Sequence, residues 1–451
     1  MARPSLSTPG ELLSALAGGS CSRAELQARL GGISQPTVSR LVRAAGERVR
    51  VLGRGADTRY GATRSLPRLG SHIPLYRVDQ QGDIHVLGAL YPLAGGECWC
   101  EFNERAGVLH PGLPHFLQDM RPQGFMGRAF ASRYATMLGV PPRLVDWDDD
   151  VHLLVMALFG DDLSGNLVVG DESLRRLYAG RSAPVSIPTA DRTHDYARKA
   201  EASLLTEPGS SAGGEQPKFT HAWQDGSGIH HVLVKFSPAG DAPAALRWRD
   251  LLRAEHLALE LLRENGIAAA ATVCIETGGR VYLESERFDR VGATGRRGLL
   301  SLEAVSLHRH GRLGSWSDAA GRLLADHLIT EVEARTIRLL DLFGALIANT
   351  DRHFGNLSLF IDDFRYALAP AYDMLPMLYR PVDGGELPAR EFTPPMPTAA
   401  NADVWHSALA MATAYWQRLS TQPGVSPGFQ QLAGRNADSL ARLAALQPPR
   451  R

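Results

Sequence analysis

Net charge is the first thing this 451-residue chain lacks, because 48 Lys and Arg offset 48 Asp and Glu. A chain neutral overall is not a polyanion binder as a whole, so any basic surface must be local. Cysteine is scarce too. Cys21, Cys98, Cys100 and Cys274 are scattered, and Cys98-Trp99-Cys100 lacks the spacing of a CxxC redox or zinc site. All four read as reduced packing residues. Long hydrophobic runs are missing: Val151 to Gly160 and Gly266 to Ile275 fall short of the ~18–20 apolar residues of a membrane span. Met-Ala-Arg-Pro-Ser at the start lacks the apolar core of a signal peptide. The expectation is a soluble, cytoplasmic protein with no membrane partner. The length allows about two to four domains and a core that needs no covalent staples.

The N-terminal stretch carries the local charge. Nine arginines face three acidic residues between Ser20 and Leu66. Ser7-Thr8-Pro9 opens a helix with Leu12, Leu13 and Leu16 on one face. Ser22 with Glu25 makes a capping box for a second helix. Ser34-Gln35-Pro36-Thr37 starts a third, with Pro36 in its first turn. On it Val38, Leu41 and Val42 face inward, while Gln35, Thr37, Ser39, Arg40 and Arg43 point out. Val49–Leu52 and Thr58–Ala62, split by Gly53–Asp57, read as a hairpin. This order is that of a winged helix. Its third helix would enter the major groove, with hairpin arginines on phosphate or minor groove. A basic protein-interaction or dimerisation module is the competing reading.

Residues 67–175 announce no chemistry. Strands are expected at Leu75–Val78, Ile84–Leu90, Trp99–Phe102 and Asn166–Gly170, with Pro111, Gly112, Pro114, Pro122 and Gly124 breaking up the middle. Asp148-Asp149-Asp150 reads as an acidic helix start rather than a metal site, because an apolar run follows.

Chemistry begins further on. Ser210-Ser211-Ala212-Gly213-Gly214-Glu215-Gln216-Pro217 is a small-residue loop whose backbone N–H groups can approach an anion. It is not a Walker A loop, since no Gly-Lys-Ser/Thr follows. Next comes an apolar strand, Ile229 to Phe236, holding Lys235, and a buried lysine needs an anionic partner. An amphipathic helix from Leu246 to Glu264 offers Glu255 as that partner. Arg280 to Arg290 is a strand running into a polar segment. Then Asn349-Thr350-Asp351-Arg352-His353-Phe354-Gly355-Asn356 places a carboxamide five residues after a carboxylate, and Tyr372-Asp373 brings a second carboxylate. Phosphoryl transfer asks for this set: one Asp to orient and deprotonate the attacking hydroxyl, an Asn and a later Asp to hold Mg²⁺ against nucleotide phosphates. The order of parts is that of a protein-kinase-like fold, with a β-rich small lobe and a helical large lobe. Helices at Leu339–Ala348, Val404–Leu419 and Gly428–Leu446 continue the large lobe. The proline-rich stretch Pro381–Pro397 is a loop expected near the substrate cleft. Trp405, Tyr415 and Trp416 are expected in the core.

Three motifs make the resemblance specific. The loop at Ser210–Gln216, the segment Glu286-Arg287-Phe288-Asp289-Arg290, and Asn349–Ser358 with Tyr372-Asp373 resemble the HipA family of bacterial serine/threonine kinases, toxins of type II toxin–antitoxin pairs. The fused N-terminal winged helix resembles the YjjJ (HipH) branch. The resemblance implies an α+β, two-lobed HipA fold, divided into 1–66 (winged helix-turn-helix), 67–175 (β-rich subdomain), 176–290 (small lobe) and 291–451 (large lobe). It implies ATP and Mg²⁺ as cofactors and a protein substrate such as a translation factor. Asp351 would be the catalytic base, and Asn356 and Asp373 the Mg²⁺ ligands. Lys235 would contact phosphates, Ala212, Gly213, Gly214, Glu215, Gln216 and Pro217 would cover them, and Glu286, Arg287 and Phe288 would meet adenine. Tyr372 belongs to the nucleotide site, and Arg352 and His353 would flank the γ-phosphate or support the loop. Ser210 or its neighbour Ser211 would be autophosphorylated, which silences the family's kinases. The departures from eukaryotic-type kinases, Asn349-Thr350-Asp351 for His-Arg-Asp and Asp373-Met374-Leu375 for Asp-Phe-Gly, are normal for HipA-like proteins. DNA would bind through Gln35, Thr37, Ser39, Arg40 and Arg43, and a palindromic site would favour a homodimer. A nucleotide-sensing transcriptional regulator and a small-molecule kinase are the alternatives.

Overall fold

In a computed structural model of the chain, residues 8–182, 192–206, 216–311, 314–362, 365–382 and 384–445 are described. The chain divides into two compact units, Met1–Arg121 with Val145–Ala183, and Pro122–Leu144 with Pro184–Arg451. Among the described residues no helix is long and apolar enough to cross a membrane.

The first unit starts with helices Pro9–Ala15, Arg23–Arg29 and Gln35–Ala45 and a three-stranded antiparallel sheet of Cys21–Ser22, Arg59–Ala62 and Val49–Leu52, in that order. Thr8 with Glu11 and Ser22 with Glu25 form capping boxes. Ser34 makes no such bond: Pro36 lacks an N–H, and the Ser34 hydroxyl pairs with Thr37 Oγ1 at 3.0 Å instead. Leu12, Leu16, Leu26, Val38 and Leu41 close the small core. A five-stranded antiparallel sheet follows, ordered Val108–His110, Cys98–Phe102, Ile84–Pro92, Ile73–Val78 and Leu167–Val169. It packs on helix Asp149–Phe159 through Leu75, Leu90, Cys100, Leu153 and Met156. Cys98 and Cys100 are core residues, and all four cysteines are free. The Asp148–Asp150 run is absorbed structurally. Asp148 caps the helix at Val151 N, Asp149 accepts from Leu113 N at 2.8 Å, and Asp150 pairs with Arg64.

The second unit holds a four-stranded antiparallel sheet ordered Thr272–Thr277, Arg280–Glu286, Gly228–Phe236 and Lys218–Asp225. Alternation along the strands gives it two different faces. Phe219, Trp223, Val232, Val234, Phe236 and Tyr282 pack with Tyr196 and Ala200 of helix Arg192–Thr206. Val281 and Leu283 point the other way, onto Leu252 of helix Pro243–Glu264. That helix begins earlier than the periodicity implied, because Pro243 sits comfortably in a first turn. A helix at Gly124–Leu138 also forms where Pro122 and Gly124 read as breakers. Gln123 is its N-cap, so Pro122 lies outside it and Gly124 is only its first residue.

Beyond the sheet the unit is mostly helical: Leu302–Arg309, Trp316–Ala325, Glu331–Leu346, Trp405–Leu419 and Pro427–Ala445, with a small sheet of Gly298–Ser301, Ser358–Asp362 and Arg365–Leu368. Trp405, Tyr415 and Trp416 are fully buried among these helices. The proline-rich stretch has neither helix nor strand among its described residues. Phe392 packs on Trp416, and Arg390 donates to Leu378 O at 2.7 Å.

Candidate active site

Lys235 lies on the strand face that looks toward helix Pro243–Glu264, since Val234 and Phe236 on either side face the opposite layer. It is 5% exposed. Its Nζ donates to Glu255 Oε1 and Oε2 at 2.6 and 2.8 Å, and to the Asp373 carboxylate. One ammonium is therefore shared by a helix carboxylate and a loop carboxylate. Burial opposes its charge, but Asp373 and Glu255 outweigh burial and raise its pKa. Burial also works against Asp373, yet the charges of Lys235 and Lys218 hold its carboxyl below the usual carboxylate range. For Glu255 burial wins, and its pKa rises.

Lys218 is a residue the sequence reading passed over. It pairs across the ladder with Lys235, and directly opposed residues share a sheet face. Its charge acts on both Asp373 and Glu255. The available signal was its place: the strand that begins at Lys218 leaves directly from the Gly-rich loop.

The loop after helix Glu331–Leu346 carries the rest. Asp351 is exposed, and it is its backbone that is tied: its N–H donates to Asn349 Oδ1 at 3.0 Å, and its carbonyl accepts from Asn356 Nδ2 at 2.8 Å. Arg352 ion-pairs with Asp341 at 3.2 Å and donates to the Asn349 carbonyl, so it braces the loop against the helix. His353 is exposed, its Nδ1 accepts from Gly355 N at 3.1 Å, and its carbonyl takes Trp316 Nε1–H at 3.1 Å. Tyr372 donates to Gly355 O at 2.8 Å and lies 2.7 Å from Ser358 Oγ. Asp373 adopts φ +54°, a left-handed conformation that costs a non-glycine residue about 1 kcal/mol or more.

Glu286 is exposed at its strand end, with its N–H on Ala271 O. Arg287 turns to Asp289 at 3.2 Å. The Phe288 ring lies 5.8 Å from those of both Phe360 and Tyr372. Direct bonds thus join Lys235, Glu255, Asp373, Asn349, Asp351 and Asn356. Of the expected phosphate loop, Gln216 and Pro217 are half-buried, and Pro217 O accepts from Phe236 N at 3.1 Å. Ser210, Ser211, Ala212, Gly213, Gly214 and Glu215 lie outside the described residues.

The donor set suits a hard divalent cation. Asn356 gives its Nδ2–H to Asp351, which leaves Oδ1 as a ligand atom, and Asp373 adds a carboxylate held ionised. Mg²⁺ is commonly held by one or two protein oxygens with phosphates and water supplying the rest. Among the described residues no cluster of three or more His, Cys, Asp or Glu could hold a metal by itself.

In the first unit, Gln35, Ser39, Arg40 and Arg43 are exposed on helix Gln35–Ala45, and Thr37 is half-buried. Several neighbouring arginines are engaged within that unit. Arg50 pairs with Glu101 and lies over the Tyr91 ring, Arg59 donates to Ser20 O at 2.8 Å, and Arg64 holds Leu93 O and Asp150. Arg54, at the hairpin tip, is exposed.

A family model for the middle domain of YjjJ-like toxins matches residues 69–178, and one for the HipA-like C-terminal domain matches residues 210–435. Toxin YjjJ of Escherichia coli (strain K12) is 36% identical over 438 residues, which covers 96% of this chain and 98% of that protein. Among solved structures, HipA from the Shewanella oneidensis MR-1 HipA–HipB–operator DNA complex is 15% identical, with a TM-score of 0.48 over 82% of this chain and 96% of that one. The Helicobacter pylori proinflammatory kinase CtkA is 13% identical, with a TM-score of 0.33 over 51% of this chain and 92% of that one. Both structural likenesses are too loose to transfer residue roles. The identity along nearly the whole length, together with the HipA-like C-terminal domain, places the chain in the YjjJ-like toxin family of HipA-type proteins.

Proposed function

We propose that this protein is an ATP- and Mg²⁺-dependent serine/threonine protein kinase of the HipA type, fused to a winged-helix DNA-binding domain and acting in the cytoplasm. The observation that carries the proposal is the bonded set Glu255–Lys235–Asp373 beside Asn349–Asp351–Asn356. A buried lysine paired to a helix glutamate, with a metal carboxylate within reach, is the arrangement protein kinases need for phosphate positioning.

In this reading Asp351 is the base. Its carboxylate is exposed to an incoming hydroxyl while its backbone is fixed from both sides. Asn356 and Asp373 would hold Mg²⁺, which would supply charge neutralisation to the nucleotide phosphates. Lys235 and Lys218 supply positive charge from one sheet face, and the loop Ala212–Pro217 covers the phosphates. Glu286 to Phe288 form the adenine edge, with Phe288 packed on Tyr372. Arg352 braces the base loop rather than the γ-phosphate. Ser210 or Ser211 is the self-modified residue. DNA is read by Gln35, Ser39, Arg40 and Arg43, with Thr37 in support and Arg54 reaching from the hairpin tip. Transfer of the γ-phosphate of ATP to protein acceptors, compared for the wild type and Asp351→Asn, tests the kinase assignment. Transfer should drop by roughly 10²–10⁴-fold in the variant. Equal transfer would remove Asp351 from the role of base.

A further inference from the structure

We infer that Asn349 is a positioning residue that ties the base to the metal carboxylate, so that the affinity for Mg²⁺ and the orientation of Asp351 depend on one carboxamide. The inference rests on the kinase reading above and goes beyond it, since that reading gives Asn349 no role.

The side chain is 1% exposed and uses both ends of its amide. Oδ1 accepts from Asp351 N at 3.0 Å, and Nδ2 donates to Asp373 O at 3.1 Å. The orientation of the amide is forced by its partners, because a backbone N–H can only donate and a carbonyl can only accept. The Asp351 carbonyl then accepts from Asn356 Nδ2. Three hydrogen bonds therefore connect Asn356 to the Asp351 backbone, the Asp351 backbone to the Asn349 amide, and that amide to the Asp373 carbonyl. They link both candidate metal ligands to the candidate base.

Asn349 is itself fixed by the end of helix Glu331–Leu346. Its N–H bonds to Gly344 O at 2.9 Å and the Ala348 N–H to Ala345 O at 3.1 Å, with Ala348 at φ +60°. That is the paired bonding of a Schellman cap, with alanine standing where glycine is usual. The far end of this series of bonds, Asp373, is also left-handed at φ +54°. Two residues in disfavoured conformations thus flank the clasp, and the Asn349 amide holds the carbonyl of one of them. A core asparagine present only to fill space would not need to satisfy two separate functional loops at once.

Two variants separate the two bonds. Asn349→Asp keeps an acceptor for Asp351 N–H but sets an oxygen against Asp373 O. Asn349→Ala loses both. The probe is ATP with Mg²⁺ titrated, read as ATP binding by calorimetry and as phosphoryl transfer on the full chain, with folding checked by near-ultraviolet circular dichroism. Both variants should need roughly 10- to 100-fold more Mg²⁺ for half-maximal ATP binding, as expected for a partner of metal ligands. At saturating Mg²⁺, Asn349→Asp should recover more of the rate than Asn349→Ala. A folded variant with the wild-type Mg²⁺ midpoint overturns the inference, and the nearly isosteric Asn349→Asp carries the test if Asn349→Ala fails to fold. A wild type that binds ATP with Mg²⁺ but transfers no phosphate would overturn the kinase reading while the binding midpoints still decide the role of Asn349. A wild type that binds no ATP would overturn both.

Discussion

Lys235 has a structural role in its buried ion pairs and a proposed one in phosphate binding. It is almost fully buried with two carboxylates for company, of which Glu255 is 2% exposed. Removing one partner of such a set leaves unpaired charge in a low-dielectric site, which typically costs about 3–5 kcal/mol. Lys235→Met should therefore lower the unfolding free energy by about that amount and abolish ATP binding. Thermal unfolding checks the first part, and a change below about 1 kcal/mol would contradict the buried-pair account. His221 makes a pH-dependent contribution. Burial, helped by the Lys199 charge, pushes its pKa down to about 4. In the unfolded chain the imidazole titrates near ~6.5. Between those values the unfolded state binds the extra proton. The stabilisation is complete above ~6.5 and is lost as pH falls toward about 4, by about 3 kcal/mol. Unfolding measured from pH 7 to pH 4 should show this slope, and His221→Asn should flatten it. An unchanged slope would remove His221 as its source.

At the scale of elements, helix Glu331–Leu346 is what delivers the loop that holds Asp351, the proposed base. Its Thr330–Glu333 capping box fixes one end and its Schellman cap launches Asn349 at the other. Gly344 sits in its last turn, where alanine would ordinarily favour the helix by about 1 kcal/mol. A Cβ there would lie 2.5 Å from Arg352 Cδ. Arg352 could yield only by releasing Asp341 or the Asn349 carbonyl. Gly344→Ala should therefore slow phosphoryl transfer about 10-fold or more, the scale on which small misplacements act, with little loss of thermal stability. A full-rate variant would show that the Arg352 brace is dispensable. The elements that carry motifs were legible in the sequence for physical reasons. The strand with Lys235 shows as an apolar run interrupted by one charge, and the following helix shows its 3.6-residue period. Helix Gly124–Leu138 was not legible, because Pro and Gly lie at its start and local rules cannot tell a start from a break. Lys218 was missed because its meaning depends on the cross-strand register with Lys235, which sequence order does not reveal. The same limit hid the Asn349 clasp, whose two partners lie two and twenty-four residues away.

At the scale of the molecule, charge neutrality conceals an uneven distribution. The basic N-terminal stretch contributes several of its arginines to its own unit: Arg50 to Glu101, Arg59 to Ser20, Arg64 to Asp150 and Leu93. The count of arginines in the sequence therefore overstates the charge this unit has free for an anionic partner. Arg40 and Arg43 remain exposed on the third helix. Replacing both by Ala should weaken DNA binding and reduce the slope of log affinity against log salt by about 1 for each phosphate no longer neutralised. Unchanged salt dependence would return the competing reading, a protein-interaction or dimerisation module. The proposed kinase activity is independent of that outcome. Its most direct measurement is the intact mass of the purified protein after incubation with ATP and Mg²⁺, for wild type and Asp351→Asn, with prior phosphorylation removed by phosphatase. The account predicts a phosphate added to the wild type only, on Ser210 or Ser211. No addition to either protein, with ATP still bound, would contradict it and favour a regulator that senses nucleotide.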